Sequence, residues 1–208
     1  MRTRQTKPAI QRGQIWMMVV MFAAILALAE SRANAQCYPG LTCPDSAIPE
    51  PAAPSAARPT SATEDCTLDG SVRFCVSSAL APQGRNSYRA ANLIDGNPAT
   101  AWVEARSDDG IGEWIVIDFT QPRDVTGIEL QNGYAKNADI YGKNGRVREI
   151  EINLSNGDTL RHTLNDSPNP QTIRLNGADG VSWLQLKILS VYPGSKYRDT
   201  AISELRVQ

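Results

Sequence analysis

Residues 113–119, EWIVIDF, put large apolar side chains on both faces of an extended chain, Trp114 and Val116 on one and Ile115, Ile117 and Phe119 on the other. Side chains alternate sides along a strand, so such a run is stable only where something covers it front and back. Further short runs follow it. Residues 148–154 alternate, with Ile150, Ile152 and Leu154 inward and Glu149, Glu151 and Asn153 outward. Asn156-Gly157 then signals a hairpin into residues 159–164. Residues 125–130, 171–175, 181–189 and 201–207 complete the series, with turn residues between them. No segment sustains a helical period, although a short helical turn is expected at residues 90–94. Regular strand spacing over this length predicts an all-β fold, a sandwich or jelly roll of antiparallel strands.

Ahead of the doubly apolar strand lies a tight, oxygen-rich turn, Asp95-Gly96-Asn97-Pro98 with Thr100, and then Trp102, a candidate core residue. Gly96 tolerates positive φ and Pro98 fixes φ near a turn value, so the oxygens of Asp95, Asn97 and Thr100 gather on a stiff backbone. Such a knot ties two strands together or holds a hard cation.

The first residues read as an address. Arg2, Arg4, Lys7 and Arg12 form a basic leader, residues 15–29 an apolar run, and Ala33-Asn34-Ala35 a small-residue cleavage pattern, so residues 1–35 are expected to be a signal peptide. The run falls short of the roughly 20 apolar residues of a comfortable membrane span. Removing the leader leaves 16 basic against 21 acidic residues, a net charge of −5. With no basic stripe left, nucleic acid is not an expected partner; the chain itself is expected to be exported, periplasmic or extracellular, and not integral to a membrane.

All four cysteines precede residue 76, which fits an oxidising compartment. Three connectivities exist; Cys37 with Cys43 and Cys66 with Cys75 close the shortest loops. Their spacing matches no common zinc framework. Between Cys43 and Cys66 the chain is rich in Pro, Ala and Ser, which cannot bury enough surface to offset its ordering entropy, so residues 36–65 read as a linker. The folded unit is then residues 66–208.

Catalytic chemistry is thinly supplied. The one histidine, His162, sits in a strand between Leu160 and Leu164 and reads as a half-buried or edge residue. Asp108, Asp109, Glu113 and Glu204 are the carboxylates an enzyme would have to recruit. Binding chemistry is richer. Tyr134, Lys136, Tyr141, Asn144 and Arg146 lie in one long loop, and Tyr192, Lys196, Tyr197 and Arg198 in another. Aromatic faces beside amide and cationic donors suit the C–H face and hydroxyls of a sugar ring. The alternative is that these tyrosines pack the loops onto the sandwich.

The segments SSALAPQGRNSYRAANLIDGNPATAWVEA, GIGEWIVIDF, NGYAKNADIYGKNGRVREIEI, SNGDTLRHTL and SVYPGSKYRDTAISELRV together resemble the discoidin-like, coagulation factor type C-like domains. More narrowly they resemble the glycan-binding, or translocation, domain of secreted bacterial NAD glycohydrolases. The resemblance implies a jelly-roll sandwich that binds carbohydrate without catalysis and needs no organic cofactor. It also implies a structural Ca2+ at Asp95, Asn97, Thr100 and Glu204, the alternative there being a turn closed by its own hydrogen bonds. Two functions are therefore expected to compete. One is a glycan-binding module using Tyr134, Lys136, Tyr141, Asn144, Arg146, Tyr192, Lys196 and Tyr197; the other is a protein-interaction or envelope-scaffold domain using the same loops.

Overall fold

The computed structural model describes residues 56–208. The expected signal peptide, most of the linker, and Cys37 with Cys43 lie outside the described residues.

Ten strands follow one another along the described chain: β1 (Asp65–Asp69), β2 (Val72–Val76), β3 (Trp102–Val103), β4 (Trp114–Arg123), β5 (Gly127–Asn132), β6 (Gly145–Leu154), β7 (Thr159–Thr163), β8 (Gln171–Arg174), β9 (Val181–Tyr192) and β10 (Thr200–Val207). They form one hydrogen-bonded path, β1-β2-β4-β9-β6-β10-β5-β8, with β7 on β6 and β3 on β10. All pairings are antiparallel except the short parallel step from β6 to β10, where Thr200 faces Gly145 and Ala201 faces Arg146. That step divides the path into two layers that fold over a shared core, a β-sandwich.

The core follows from the alternation in the sequence. Ile115 and Ile117 of β4 face Leu186 and Leu184 of β9, and Ile150, Ile152 and Leu154 of β6 face Ile188, Leu186 and Leu184. In the other layer Ile128 and Leu130 of β5 face Ile173 of β8 and Leu205 of β10. These side chains belong to one apolar cluster that also takes in Trp102, which is fully buried. The Trp102 indole donates to the Ser78 carbonyl at 2.8 Å, so its one polar group is satisfied inside the core.

The second face of β4 is covered as well. Trp114, Val116 and Trp183 form a separate buried cluster against which Ala56 packs. The Arg58 guanidinium donates to both oxygens of Asp118 on β4, at 2.7 and 3.0 Å, and to Glu64 at 2.6 Å. Thr63 Oγ1 donates to the Ser77 carbonyl. Residues 56–64, read from composition as linker, are thus a strap across the outer face of the sheet. Composition predicts little self-burial, but it says nothing about a surface supplied by two tryptophans elsewhere in the chain.

Cys66 and Cys75 are directly paired across β1 and β2 and joined by a disulfide, as expected. Strands β1 and β2 are additions to the expected series. The helical turn at residues 90–94 is a 3-10 turn, Ala90–Leu93, and a six-residue helix, α1 (Ala138–Lys143), adds to it. Helix α1 is capped by Asn137, whose side chain accepts from the Ile140 N–H, and it is too short to show a period. Among the described residues no helix is long and apolar enough to cross a membrane.

Candidate functional site

Three loops meet at one end of the sandwich. The first, residues 104–113, joins β3 to β4; the second, residues 133–144, joins β5 to β6 and carries α1; the third, residues 193–199, joins β9 to β10. Backbone bonds stitch the second to the third: Ser195 N–H donates to the Gly142 carbonyl, and the Lys196 and Tyr197 N–H groups to the Lys143 carbonyl. Gly194 is required at this seam, because a Cβ there would collide with the carbonyl oxygens of Lys143 and Tyr197. Arg198 joins the third loop to the first through Asp109 at 2.7 Å.

Arg146 is the centre of the seam. It is buried, and its guanidinium donates to both Asp166 oxygens, at 3.0 and 2.7 Å, and to the carbonyls of Asn144 and Pro193, both at 2.9 Å. The guanidinium also lies over the Tyr141 ring, 5.4 Å from its centroid, while the Tyr141 hydroxyl donates to Asp166 at 3.1 Å. Hydrogen bonds from Arg146 hold the Asp166 carboxyl below the usual carboxylate range, and burial raises the Tyr141 phenol, helped by Asp166. Gly133, at φ +75°, leaves the space that Arg146 and Tyr141 occupy.

This geometry divides the expected sugar-contacting residues. Tyr134 is buried, packed edge-on against Tyr88 with ring centroids 6.4 Å apart. Asn144 is buried and donates to the Ile140 carbonyl, closing the end of α1. Tyr134, Asn144 and Arg146 thus lie buried, Tyr134 against Tyr88 and the other two with donors engaged by the fold. Tyr192 is half-buried, its hydroxyl bonded to the Leu164 carbonyl and its ring beneath Arg148. Lys136, Lys196 and Tyr197 are exposed, Tyr197 by 40%, with the Lys196 ammonium 5.0 Å from the Tyr197 ring centroid. Sequence reading missed Asp166, which sits in an Asn-Asp-Ser-Pro turn that looks like ordinary loop punctuation.

The candidate cation ligands come together elsewhere in the fold. Asp95 accepts from the Asn97 N–H at 2.9 Å and from Thr100 Oγ1 at 2.7 Å, and Asn97 Oδ1 accepts from the Ala99 N–H. Glu204 of β10 lies against this turn: burial, then the Asp95 charge, raises its carboxyl above the ordinary range, and the Gly96 and Asn97 N–H groups oppose that. Its Oε1 is buried without a hydrogen-bond partner. Two acidic side chains facing each other with one orphaned oxygen fit a hard cation, since calcium takes oxygen ligands from carboxylates, carbonyls and water.

The recruitable carboxylates take different partners within the fold. Asp108 pairs with Arg106, Asp109 with Arg198, and Glu204 faces Asp95. Glu113 is buried and accepts from the hydroxyls of Ser77 and Ser78, both at 2.5 Å. His162 is half-buried on β7, opposite Ile150.

Comparison with known proteins places this architecture. A segment of 140 residues is 27% identical to an alpha-(1->3)-arabinofuranosyltransferase of Mycobacterium tuberculosis, covering 65% of this chain and 9% of the transferase. The solved arabinofuranosyltransferase AftD from mycobacteria superimposes with a TM-score of 0.51 at 22% identity, over 69% of this chain and 10% of that one. The chain thus spans about a tenth of the length of these transferases. A family 32 carbohydrate-binding module of Clostridium perfringens, solved with galactose, gives a TM-score of 0.48 at 19% identity, covering 69% of this chain and 98% of the module. Residues 66–208 match the NAD glycohydrolase translocation F5/8 type C domain over the whole sandwich, and the chain belongs to that family.

Proposed function

We propose that the protein is an exported, non-catalytic glycan-binding module whose recognition surface is the three-loop end of the sandwich. The observation that carries this reading is the seam around Arg146. A buried guanidinium with four hydrogen bonds fixes two loops against each other, and the exposed Tyr197, Lys196 and Lys136 stand on the platform so formed. A preorganised aromatic face with cationic donors beside it lowers the ordering cost of holding a sugar ring. Membership of a family of domains attached to secreted NAD glycohydrolases supports an extracellular or envelope location. Similarity to a segment of an arabinofuranosyltransferase supports a carbohydrate context. The half-buried Tyr141 and Tyr192 shape the floor rather than its face.

In the same reading Asp95, Asn97, Thr100 and Glu204 hold a calcium ion that ties the turn before Trp102 to β10. The ion would supply positive charge to two facing carboxylates and a partner for Glu204 Oε1. Stability, not recognition, is its task.

Probing a broad glycan array with the purified protein tests the function. Binding to a defined set of glycans is the expected result. A blank array, with a polypeptide captured from an envelope extract that free sugars fail to displace, would replace this reading with the protein-scaffold one.

A further inference from the structure

Glu104 follows β3 and is completely buried. Its two oxygens take backbone donors from the first loop and from the start of β10: Oε1 accepts from the Thr200 N–H at 2.9 Å and Oε2 from the Arg106 N–H at 2.7 Å. The Glu104 N–H in turn donates to the Thr200 carbonyl. Gly110, at φ +70°, passes so close that a Cβ would stand 2.6 Å from Glu104 Cγ. Thr200 carries the contact onward. Its hydroxyl donates to the Asp109 carbonyl, and a Cβ on Gly145 would strike that hydroxyl. Gly145 pairs with Thr200 in the parallel step between β6 and β10, and the next residue is Arg146. A line of direct contacts therefore runs from Glu104 through Thr200 and Gly145 to the side chain that fixes the second and third loops.

We infer that Glu104 is a positioning residue for the recognition end, its ionised carboxylate clamping the first loop to the start of β10 through two backbone N–H groups, bonds that protonation weakens. The inference rests on the proposed glycan-binding reading for its purpose but not for its geometry. Both oxygens face N–H donors, a pattern that suits a carboxylate with acceptors only. A proton on either oxygen weakens that oxygen as an acceptor and finds donors on both sides. No Lys or Arg forms an ion pair with Glu104 among the described residues. The charged groups that act on it are Asp199 of the third loop, Glu113 just before β4 and Arg106 of its own loop; Asp108 and Asp109 also belong to that loop and Arg198 to the third. Arg106 is engaged by Asp108 and Arg198 by Asp109.

Burial dominates the titration: it pushes the Glu104 carboxyl up to about 7 against the pull of the two N–H donors, with Asp199 and Glu113 adding to the rise. The sign follows from linkage. A carboxyl raised on folding favours the folded state below its unfolded pKa, and that contribution is lost as pH climbs towards 7. The protein thus gives up stability to hold a charged, bonded Glu104 at neutral and alkaline pH. Below the same midpoint the fold is favoured, although the two hydrogen bonds to Glu104 are weaker.

NMR of the full chain between roughly pH 5 and pH 9, following the amide proton shifts, tests the inference. The Arg106 and Thr200 amide protons are expected to move downfield as pH rises, because a charged acceptor makes the shorter, stronger hydrogen bond. The midpoint should coincide with that of the Glu104 carboxyl 13C shift, near 7. Glu104→Gln should flatten that shift profile at its low-pH level while amides of distant strands keep their shifts. Should that variant fail to fold, the wild-type carboxyl and amide midpoints still decide. Midpoints near an ordinary carboxylate value, or amides indifferent to the Glu104 titration, would overturn the inference. Loss of glycan binding alone, with the amide profile intact, would count against the functional reading and leave the clamp standing.

Discussion

Arg146 and Asp166 are joined by two hydrogen bonds, 3.0 and 2.7 Å, between a buried guanidinium and a carboxylate that still reaches solvent. The asymmetry sets what each mutation does. Removing the acid strands a buried cation whose other two bonds go only to carbonyls. Asp166→Ala should cost about 2–4 kcal/mol in chemical denaturation, close to what breaking a buried pair costs. Because Arg146 holds the Asp166 carboxyl low, that contribution is present above the unfolded pKa and is lost as pH falls through the folded value. The difference between wild type and Asp166→Ala should therefore shrink in strongly acidic solution; a difference independent of pH would contradict the ion pair.

Tyr134 and Tyr197 look alike in sequence and differ in the fold. Tyr134 is 7% exposed and Tyr197 is 40% exposed. Tyr134→Ala should destabilise by about 3 kcal/mol through the cavity it leaves. Tyr197→Ala should stay within about 1 kcal/mol of wild type, as surface changes do. Thermal and denaturant unfolding of the two variants checks the ordering.

The disulfide between Cys66 and Cys75 closes a short loop at the edge of the sheet. Replacing both cysteines with alanine should remove about 2–3 kcal/mol, the loop-closure value for that separation. A reductant should lower the melting temperature of the wild type and leave the double variant unchanged.

The sandwich was largely legible because its core obeys the two-residue period: Ile150, Ile152 and Leu154, read as inward, are all buried. The both-face character of residues 114–119 was legible too, but not what covers it. Ala56 and Arg58 come from a stretch whose composition signals disorder, and only the fold shows Trp114, Trp183 and Asp118 waiting for them. The loops were legible in chemistry and not in orientation. Nothing local to Tyr134 or Arg146 says that one packs on Tyr88 and the other binds an aspartate in a loop after β7. Glu104, adjacent to a core strand, gave no signal of the loop it would clamp.

The strap makes its own prediction. Arg58 bridges Asp118 and Glu64 with all three side chains partly buried. Arg58→Ala should loosen residues 56–64, raising acrylamide quenching of Trp114 and Trp183 and speeding proteolysis ahead of Cys66, with the sandwich intact. Unchanged quenching would show that Ala56 and its neighbours stay down without the arginine.

Calcium titration of chelated protein by calorimetry tests the cation site. Heat and a raised melting temperature are expected, both abolished in Glu204→Gln. Because burial and Asp95 raise the Glu204 carboxyl, a proton competes with the ion, so affinity should fall as the solution is acidified. An absence of both signals would leave Asp95 and Thr100 as a turn closed by its own hydrogen bonds.

The most direct measurement compares wild type with the double variant Lys196→Ala, Tyr197→Ala on the same glycan array, with melting temperature recorded alongside. The loop platform predicts defined glycans bound by wild type. It also predicts that the variant binds them at least about tenfold more weakly, roughly 1.4 kcal/mol, at unchanged stability. Equal binding by both proteins would contradict recognition by this end of the sandwich.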